Sequence, residues 1–362
     1  MAEKTEQAEA EETFEQEDSE QPIPPADIVA YNELRSCADL FRMHASGKLE
    51  IQPDFQRDVV WKQDDQSRFI DSLVKQLPIP SMCFSLDYKT QRWKVIDGLQ
   101  RMSSIIRFLS TAEWKLSDLS DIHPRLRNTK NSDLRLGSEE QKRLFALVED
   151  VSIPVTVIRC DYTQRTHMLY LFTIFHRLNS GGVRLTNQEI RNCIYTGPFN
   201  NLLKGFDSNN ADWKAVKRRI WGSMDRFRSV EVVLRVLAFV DERQRYDGNL
   251  ARFLNDYMHR HSSDSPDALN AVDARLKQIA KRAREALSVE PQKKLPLLLV
   301  EALLVAMYAH GDELDEMDSA AVASAYKAMR AHPSFVESAR YAVTSSDNVR
   351  NRLNAAVEAF KG

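Results

Sequence analysis

Hydrophobic positions along this chain recur in two regimes, and the change between them divides it. Up to about Arg159, short β-branched or aromatic runs alternate with helical stretches. Ser36 to Ser46 predicts a short helix. Phe69, Ile70, Leu73, Val74 and Leu77 fall near helical spacing and predict a helix from Asp64 to Leu77, with Asp64 as its cap. Pro78 and Pro80 stop it, because proline cannot continue a helix. Ser81 to Leu86 and Trp93 to Ile96 read as strands, with a hairpin turn at Thr90-Gln91. Met102 to Leu109 reads as a helix and Ile153 to Ile158 as a β-branched strand.

From Thr163 onward the pattern is helical. Thr163 to Leu178 forms one helix, broken by Ser180-Gly181-Gly182. Thr186-Asn-Gln-Glu189 is a capping box that starts the next. Amphipathic helices follow over Ser229 to Asp241, Leu250 to His259, Asp267 to Leu287, Pro296 to Ala309 and Ser319 to Ala331. The expected architecture is α+β over residues 26–160, followed by an all-helical domain over residues 161–362. Residues 1–25 are acidic, rich in Gln and poor in apolar groups, and predict a disordered tail.

That tail changes the meaning of the net charge of -2. It holds nine carboxylates and one lysine within its first twenty residues, so the remainder carries 49 basic against 43 acidic side chains. A mildly basic body suits a polyanionic partner, and it equally suits an ordinary solvated surface. The longest apolar stretch, Leu295 to Tyr308, is interrupted by Glu301 and is too short for a membrane helix. The acidic N-terminus lacks the basic-then-apolar order of a secretory signal, so a cytoplasmic location is expected. Cys37, Cys83, Cys160 and Cys193 lack metal-ligand spacing and predict reduced, buried thiols.

Three clusters carry candidate chemistry. The first is Asp97-Gly98-Leu99-Gln100-Arg101, with Ser103 and Ser104 beyond, between a strand and a helix. A helix start offers N–H groups and partial positive charge to an anion. Gly98 permits close approach, Arg101 can fork onto a phosphate, and Ser103 can add a donor. Asp97 would repel phosphate directly and suits a metal ion or an attacking water. The alternative is a structural turn in which Asp97 caps the helix and Arg101 pairs with it. The second cluster contains Gln56, Arg57 and Trp61, with Trp61 read as a core anchor or a hydrophobic staple. The third, His176-Arg177-Leu178-Asn179 followed by the two glycines, is either a further pocket wall, a DNA-backbone contact or a helix terminus. Lys214, Lys217, Arg218 and Arg219 form a basic cluster that reads as a solvated helix face or a phosphate contact.

In order and spacing, these clusters resemble the family called domain of unknown function 262, which includes GmrS-like components of modification-dependent restriction systems. The resemblance spans roughly residues 35–260, taking in Ser229 to Phe239 and Phe253 to Met258. It implies a ParB/sulfiredoxin-like fold for the first domain. It also implies nucleoside-triphosphate binding or hydrolysis, with Mg²⁺, in a DNA-associated protein of restriction or phage defence. Carried onto matching positions, the site comprises Gln56, Arg57, Asp97, Gly98, Gln100, Arg101, Arg177 and Asn179. In the hydrolase reading, Asp97 positions metal or water, Gln100 orients the nucleophile and the arginines hold phosphates. A nucleotide-dependent DNA clamp without turnover and a metal-dependent nickase are the alternatives. Leu99 stands where the family signature, Asp-Gly-Gln-Gln-Arg, has its first Gln. No His-Asn-His nuclease motif is found, so the chain reads as a sensing or energy-using component, with cleavage either supplied by a separate nuclease or defence subunit or absent.

Overall fold

The computed structural model describes residues 24–51, 61–178, 185–222, 227–291 and 293–361. Two compact units form, Pro22–Arg184 and Leu185–Gly362. The first is α+β, and every regular element of the second among the described residues is a helix.

The first unit runs β1 (Val29–Ser36), α1 (Cys37–Ala45), β2 (Leu49–Glu50), α2 (Gln63–Val74), β3 (Met82–Asp87) and β4 (Trp93–Asp97). It continues with α3 (Leu99–Leu109), α4 (Asn131–Leu136), α5 (Glu139–Asp150), β5 (Ser152–Cys160) and α6 (Arg165–Leu178). The sheet order is β1-β5-β3-β4-β2. β1 is antiparallel to β5, β5 parallel to β3, β3 antiparallel to β4, and β4 parallel to β2. The β3–β4 pair is the expected hairpin, with Gln91 at φ 57° in its turn.

Alternation along the strands sends side chains to opposite faces. Phe84, Leu86, Trp93, Val95, Ile153, Val155 and Val157 join the core made with α1, α2, α3 and α5. Cys83, Ser85, Ile96 and Ile158 alternate to the other face, and α6 packs against β4.

Ser36 accepts the Asp39 N–H and so caps α1, where the sequence placed the start. Two details of α2 differ from expectation. Lys62, not Asp64, holds the N-cap position, and no side chain caps it. Asp64 lies inside the first turn, beside the positive end of the helix. At the other end, Leu77 is 48% exposed instead of buried. The helix closes at Gln76, φ 52°, with Gln76 N–H donating to Leu73 O and Leu77 N–H to Ser72 O. This is a Schellman closure with glutamine where glycine is usual. Gln76→Gly is therefore expected to stabilise the unit by ~1 kcal/mol by relieving left-handed strain, read as a raised urea midpoint.

β1 was not visible in the sequence, because an exposed edge strand shows little alternation. Tyr31, Glu33 and Arg35 share one face with mixed character, and Leu34 on the other is 72% exposed.

The second unit comprises α7 (Asn187–Ile194), α8 (Pro198–Asn209), α9 (Ala211–Trp221), α10 (Arg228–Glu242), α11 (Leu250–His261), α12 (Pro266–Ala286), α13 (Leu297–Ala309), α14 (Gly311–Glu316), α15 (Ser319–Ala331), α16 (Pro333–Ser338) and α17 (Ser346–Ala359). The expected capping box at Thr186 and Glu189 opens α7. Apart from Glu301, α13 is apolar around nearly its whole circumference, and it packs against α10, α12 and α17, which is how such a helix finds burial. No helix among the described residues is long and apolar enough to cross a membrane.

A chain of buried charges threads this unit. Arg191 Nη1 lies 3.0 Å from Glu231 Oε2, and Arg235 Nη2 lies 2.5 Å from Glu231 Oε1. Arg235 Nη1 reaches Glu301 Oε2 at 3.4 Å, and Glu301 Oε1 faces Arg352 Nη2 at 3.9 Å. Glu301 is 1% and Arg352 0% exposed, so each depends on its ionic neighbours. Each of the two glutamates lies between two arginines; at Glu231 burial opposes ionisation, but Arg235 and Arg191 outweigh it and hold the carboxyl below its usual range.

Candidate functional site

Asp97 ends β4 opposite Cys83, and the chain turns at once into α3. The turn is made by Gly98 at φ 97°. A Cβ there would also lie 2.6 Å from Met82 Cγ, so backbone conformation and packing both exclude larger residues. Gly98→Ala is expected to destabilise the first unit by roughly 2–4 kcal/mol, combining left-handed strain with overpacking, as read by chemical denaturation.

α3 starts at Leu99, three residues earlier than the pattern suggested, so Gln100 and Arg101 belong to its first turn. Gly98 is the N-cap residue and no side chain caps the helix. Of the structural-turn alternative, the cap by Asp97 is not formed, while the pairing of Arg101 with Asp97 is. The Asp97 carboxylate is instead held from the side by Arg101.

Arg101 Nη2 donates to Asp97 Oδ2 at 2.8 Å. Its Nη1 donates to the carbonyls of Pro80 and Ser81, at the entry to β3. The guanidinium side chain is 13% exposed, while Asp97 is 36% exposed. Arg101 thus ties the β4–α3 turn to the start of β3 and steers one oxygen of Asp97. Oδ1 of Asp97 accepts no hydrogen bond among the described residues.

Gln100 Oε1 accepts the Trp61 N–H at 3.2 Å, joining the start of α2 to the first turn of α3. Trp61 packs on the core, edge-on to Phe69 at 5.6 Å between ring centroids, which bears out its reading as an anchor. Ser103 lies one helical turn beyond Gln100, half-buried and with no hydrogen bond among the described residues. Ser104 instead donates to Gln100 O within the helix. Leu99 packs against the core, so the departure from the family signature falls on an inward-facing position.

The structure brings together Asp97, Gly98, Gln100 and Arg101. Arg177 and His176 sit exposed in the last turn of α6, where Arg177 makes no ion pair among the described residues. Gln56, Arg57 and Asn179 lie outside the described residues, as does the tail to Ile23. The basic cluster at Lys214 to Arg219 disperses. Lys217 pairs with Asp207 at 2.8 Å, and Arg219 donates to the carbonyls of Leu287 and Pro291.

Sequence reasoning missed the carbonyls of Pro80 and Ser81 as partners of Arg101. Main-chain acceptors leave no residue signature, and the prolines announced only the end of α2.

All four cysteines are free and buried, as expected. Burial pushes the thiols of Cys37, Cys83 and Cys160 up to about 12, with the Asp97 charge adding to the effect at Cys83. Such thiols stay protonated and unreactive near neutral pH.

No cluster of three or more His, Cys, Asp or Glu groups forms a metal site among the described residues. Asp97 stands as one carboxylate. A single carboxylate does fit Mg²⁺ carried by a triphosphate, because that ion keeps waters and phosphate oxygens as its other ligands.

Residues 37–196 match the family described as GmrSD restriction endonuclease, N-terminal domain. The matched region spans the Asp97 loop and runs just past the end of α7, and over it the chain is similar to the N-terminal domain of that restriction endonuclease family. No curated protein and no solved structure matches the chain.

Proposed function

We propose that this protein binds and hydrolyses a nucleoside triphosphate at the Asp97–Arg101 loop, as the DNA-associated, energy-using component of a restriction or phage-defence system. The observation that carries the reading is a half-buried carboxylate, steered by Arg101 and with one oxygen free of hydrogen bonds among the described residues, beside an uncapped helix start. The α3 N-terminus offers backbone N–H groups and positive potential to phosphate oxygens. Ser103 adds a hydroxyl, and Arg101 retains Nε and one Nη2 proton beyond its present bonds. Asp97 Oδ1 is the atom that would meet Mg²⁺ or the attacking water, and the ion would neutralise charge developing on the phosphates. Gln100 orients the nucleophile through its side-chain amide. Gln56, Arg57, Arg177 and Asn179 complete the phosphate-binding set.

The test is phosphate release from each of the four nucleoside triphosphates with Mg²⁺, with and without duplex DNA. Steady turnover of at least one nucleotide supports the proposal. Nucleotide-dependent thermal stabilisation without phosphate release would make the protein a clamp or switch. With neither signal, the loop is a structural turn.

A further inference from the structure

The ion pairs of the second unit leave one surface with cations to spare. Around α9, α12 and the segment from Leu287 to Leu295, four carboxylates are already engaged by other cations. Asp212 pairs with Arg284 at 2.8 Å, Asp273 with Lys277 at 2.5 Å, Glu285 with Arg282 at 3.4 Å, and Glu290 with Arg330. Lys214, Arg218, Lys281, Lys293 and Lys294 have no carboxylate partner among the described residues, and all but the half-buried Lys214 are exposed.

The fold gathers them from separate stretches of sequence. α9 packs against α12. Arg219 Nη1 donates to Leu287 O at 3.1 Å, and Leu295 N–H donates to Arg219 O at 2.7 Å. These bonds hold Lys293 and Lys294 beside the end of α9 that carries Arg218. Lys214 and Arg218 are one turn apart on α9, and Lys281 lies one turn from Arg284 on the exposed side of α12. The dispersal of the sequence cluster therefore has a counterpart. Lys217 and Arg219 are spent on structure, and the bonds made by Arg219 assemble a different basic surface.

We infer that this surface, built from Lys214, Arg218, Lys281, Lys293 and Lys294, is where the protein grips the phosphate backbone of duplex DNA. Flexible lysines on an open surface make sequence-independent contacts, because each meets a phosphate as a point charge and none is fixed in a bidentate fork. This unit then supplies general affinity, while the Asp97 loop handles nucleotide. The inference rests on the proposed association with DNA, and not on hydrolysis.

The experiment measures binding of the full chain to a fluorescent 30-base-pair duplex of arbitrary sequence across a salt series. The variant Arg218→Gln, Lys281→Gln, Lys293→Gln and Lys294→Gln removes four exposed charges that make no ion pair among the described residues. A control removes four paired surface cations of the first unit: Arg42→Gln, Arg92→Gln, Arg125→Gln and Lys142→Gln. Each lost phosphate contact lowers the slope of log K against log salt by about 0.9, so the first variant should lose about three to four and the control close to none. An unchanged slope in the first variant, an equal loss in the control, or no binding by the wild type overturns the inference. Nucleotide-dependent thermal stabilisation, measured in parallel, reports on the Asp97 loop separately. DNA binding lost with that stabilisation intact supports the surface. Stabilisation absent in the wild type itself refutes the nucleotide proposal and leaves the DNA measurement standing.

Discussion

Asp97→Asn is expected to keep nucleotide binding near the wild-type level while cutting triphosphate turnover by roughly 10²-fold or more, the usual scale for losing a positioned catalytic group. The substitution is nearly isosteric, and the amide oxygen can still accept the Arg101 Nη2 proton, so the β4–α3 turn keeps its shape. What disappears is the negative charge at the free oxygen, which the proposed chemistry needs for water or metal. Arg101→Ala should behave differently. It unties the turn from the carbonyls of Pro80 and Ser81 and removes positive charge beside the α3 N-terminus, so it should abolish binding along with turnover. Phosphate release and thermal stabilisation by nucleotide, measured on both variants, separate the roles. Equal loss of binding in the two would contradict the division of labour.

The second large effect falls far from nucleotide chemistry. Glu301→Gln should destabilise the helical unit by roughly 3–5 kcal/mol, because removing one partner strands buried charge on the others. For a unit of this size that corresponds to a fall in melting temperature of roughly 6–20 °C. The amide matches the carboxylate in volume, so the loss is electrostatic and not a cavity effect. Arg352 is the residue exposed to the consequence. It is fully buried, its Nε and Nη2 have no hydrogen-bond partner among the described residues, and Glu301 is its ionic neighbour. Restoring apolar consistency with Glu301→Leu, Arg235→Met and Arg352→Met together should recover much of the stability. A melting temperature unmoved by Glu301→Gln would show that the charges are solvated in solution.

Several elements were legible in the sequence because one strong local signal specified them. The helix Ser319–Ala331 falls where its periodicity placed it, and the capping box at Thr186 starts α7. The α+β then helical order also stood in the pattern. α4 and α5 did not, since Asn131–Leu136 is short and Glu139–Asp150 buries only Leu144, Phe145 and Val148. The buried charge chain was hidden for a different reason. Arg191 and Glu231 lie forty positions apart, and only folding brings them within 3.0 Å. Glu301 was visible as an interruption of an apolar run, which excluded a membrane span but named no partner. At the candidate site, the Asp97–Arg101 pairing was legible as an i,i+4 relation. Its anchoring to the start of β3 depends on strand pairing that one sequence does not announce.

The order of strands in the sheet also has a consequence for synthesis. β1 pairs only with β5 among the described strands, and its partner residues, such as Ser36 and Ser152, are more than a hundred positions apart. At ~5–20 residues per second, the ribosome takes roughly 6–25 s to deliver β5 after β1 has been made. Through that interval β1 carries Val29, Tyr31 and Leu34 with no strand beside it, which is the kind of edge that joins neighbouring chains into aggregates. The nascent protein therefore passes through a window in which its yield depends on translation rate and chaperone supply, and slowed elongation between Ser36 and Ser152 should lower the soluble fraction.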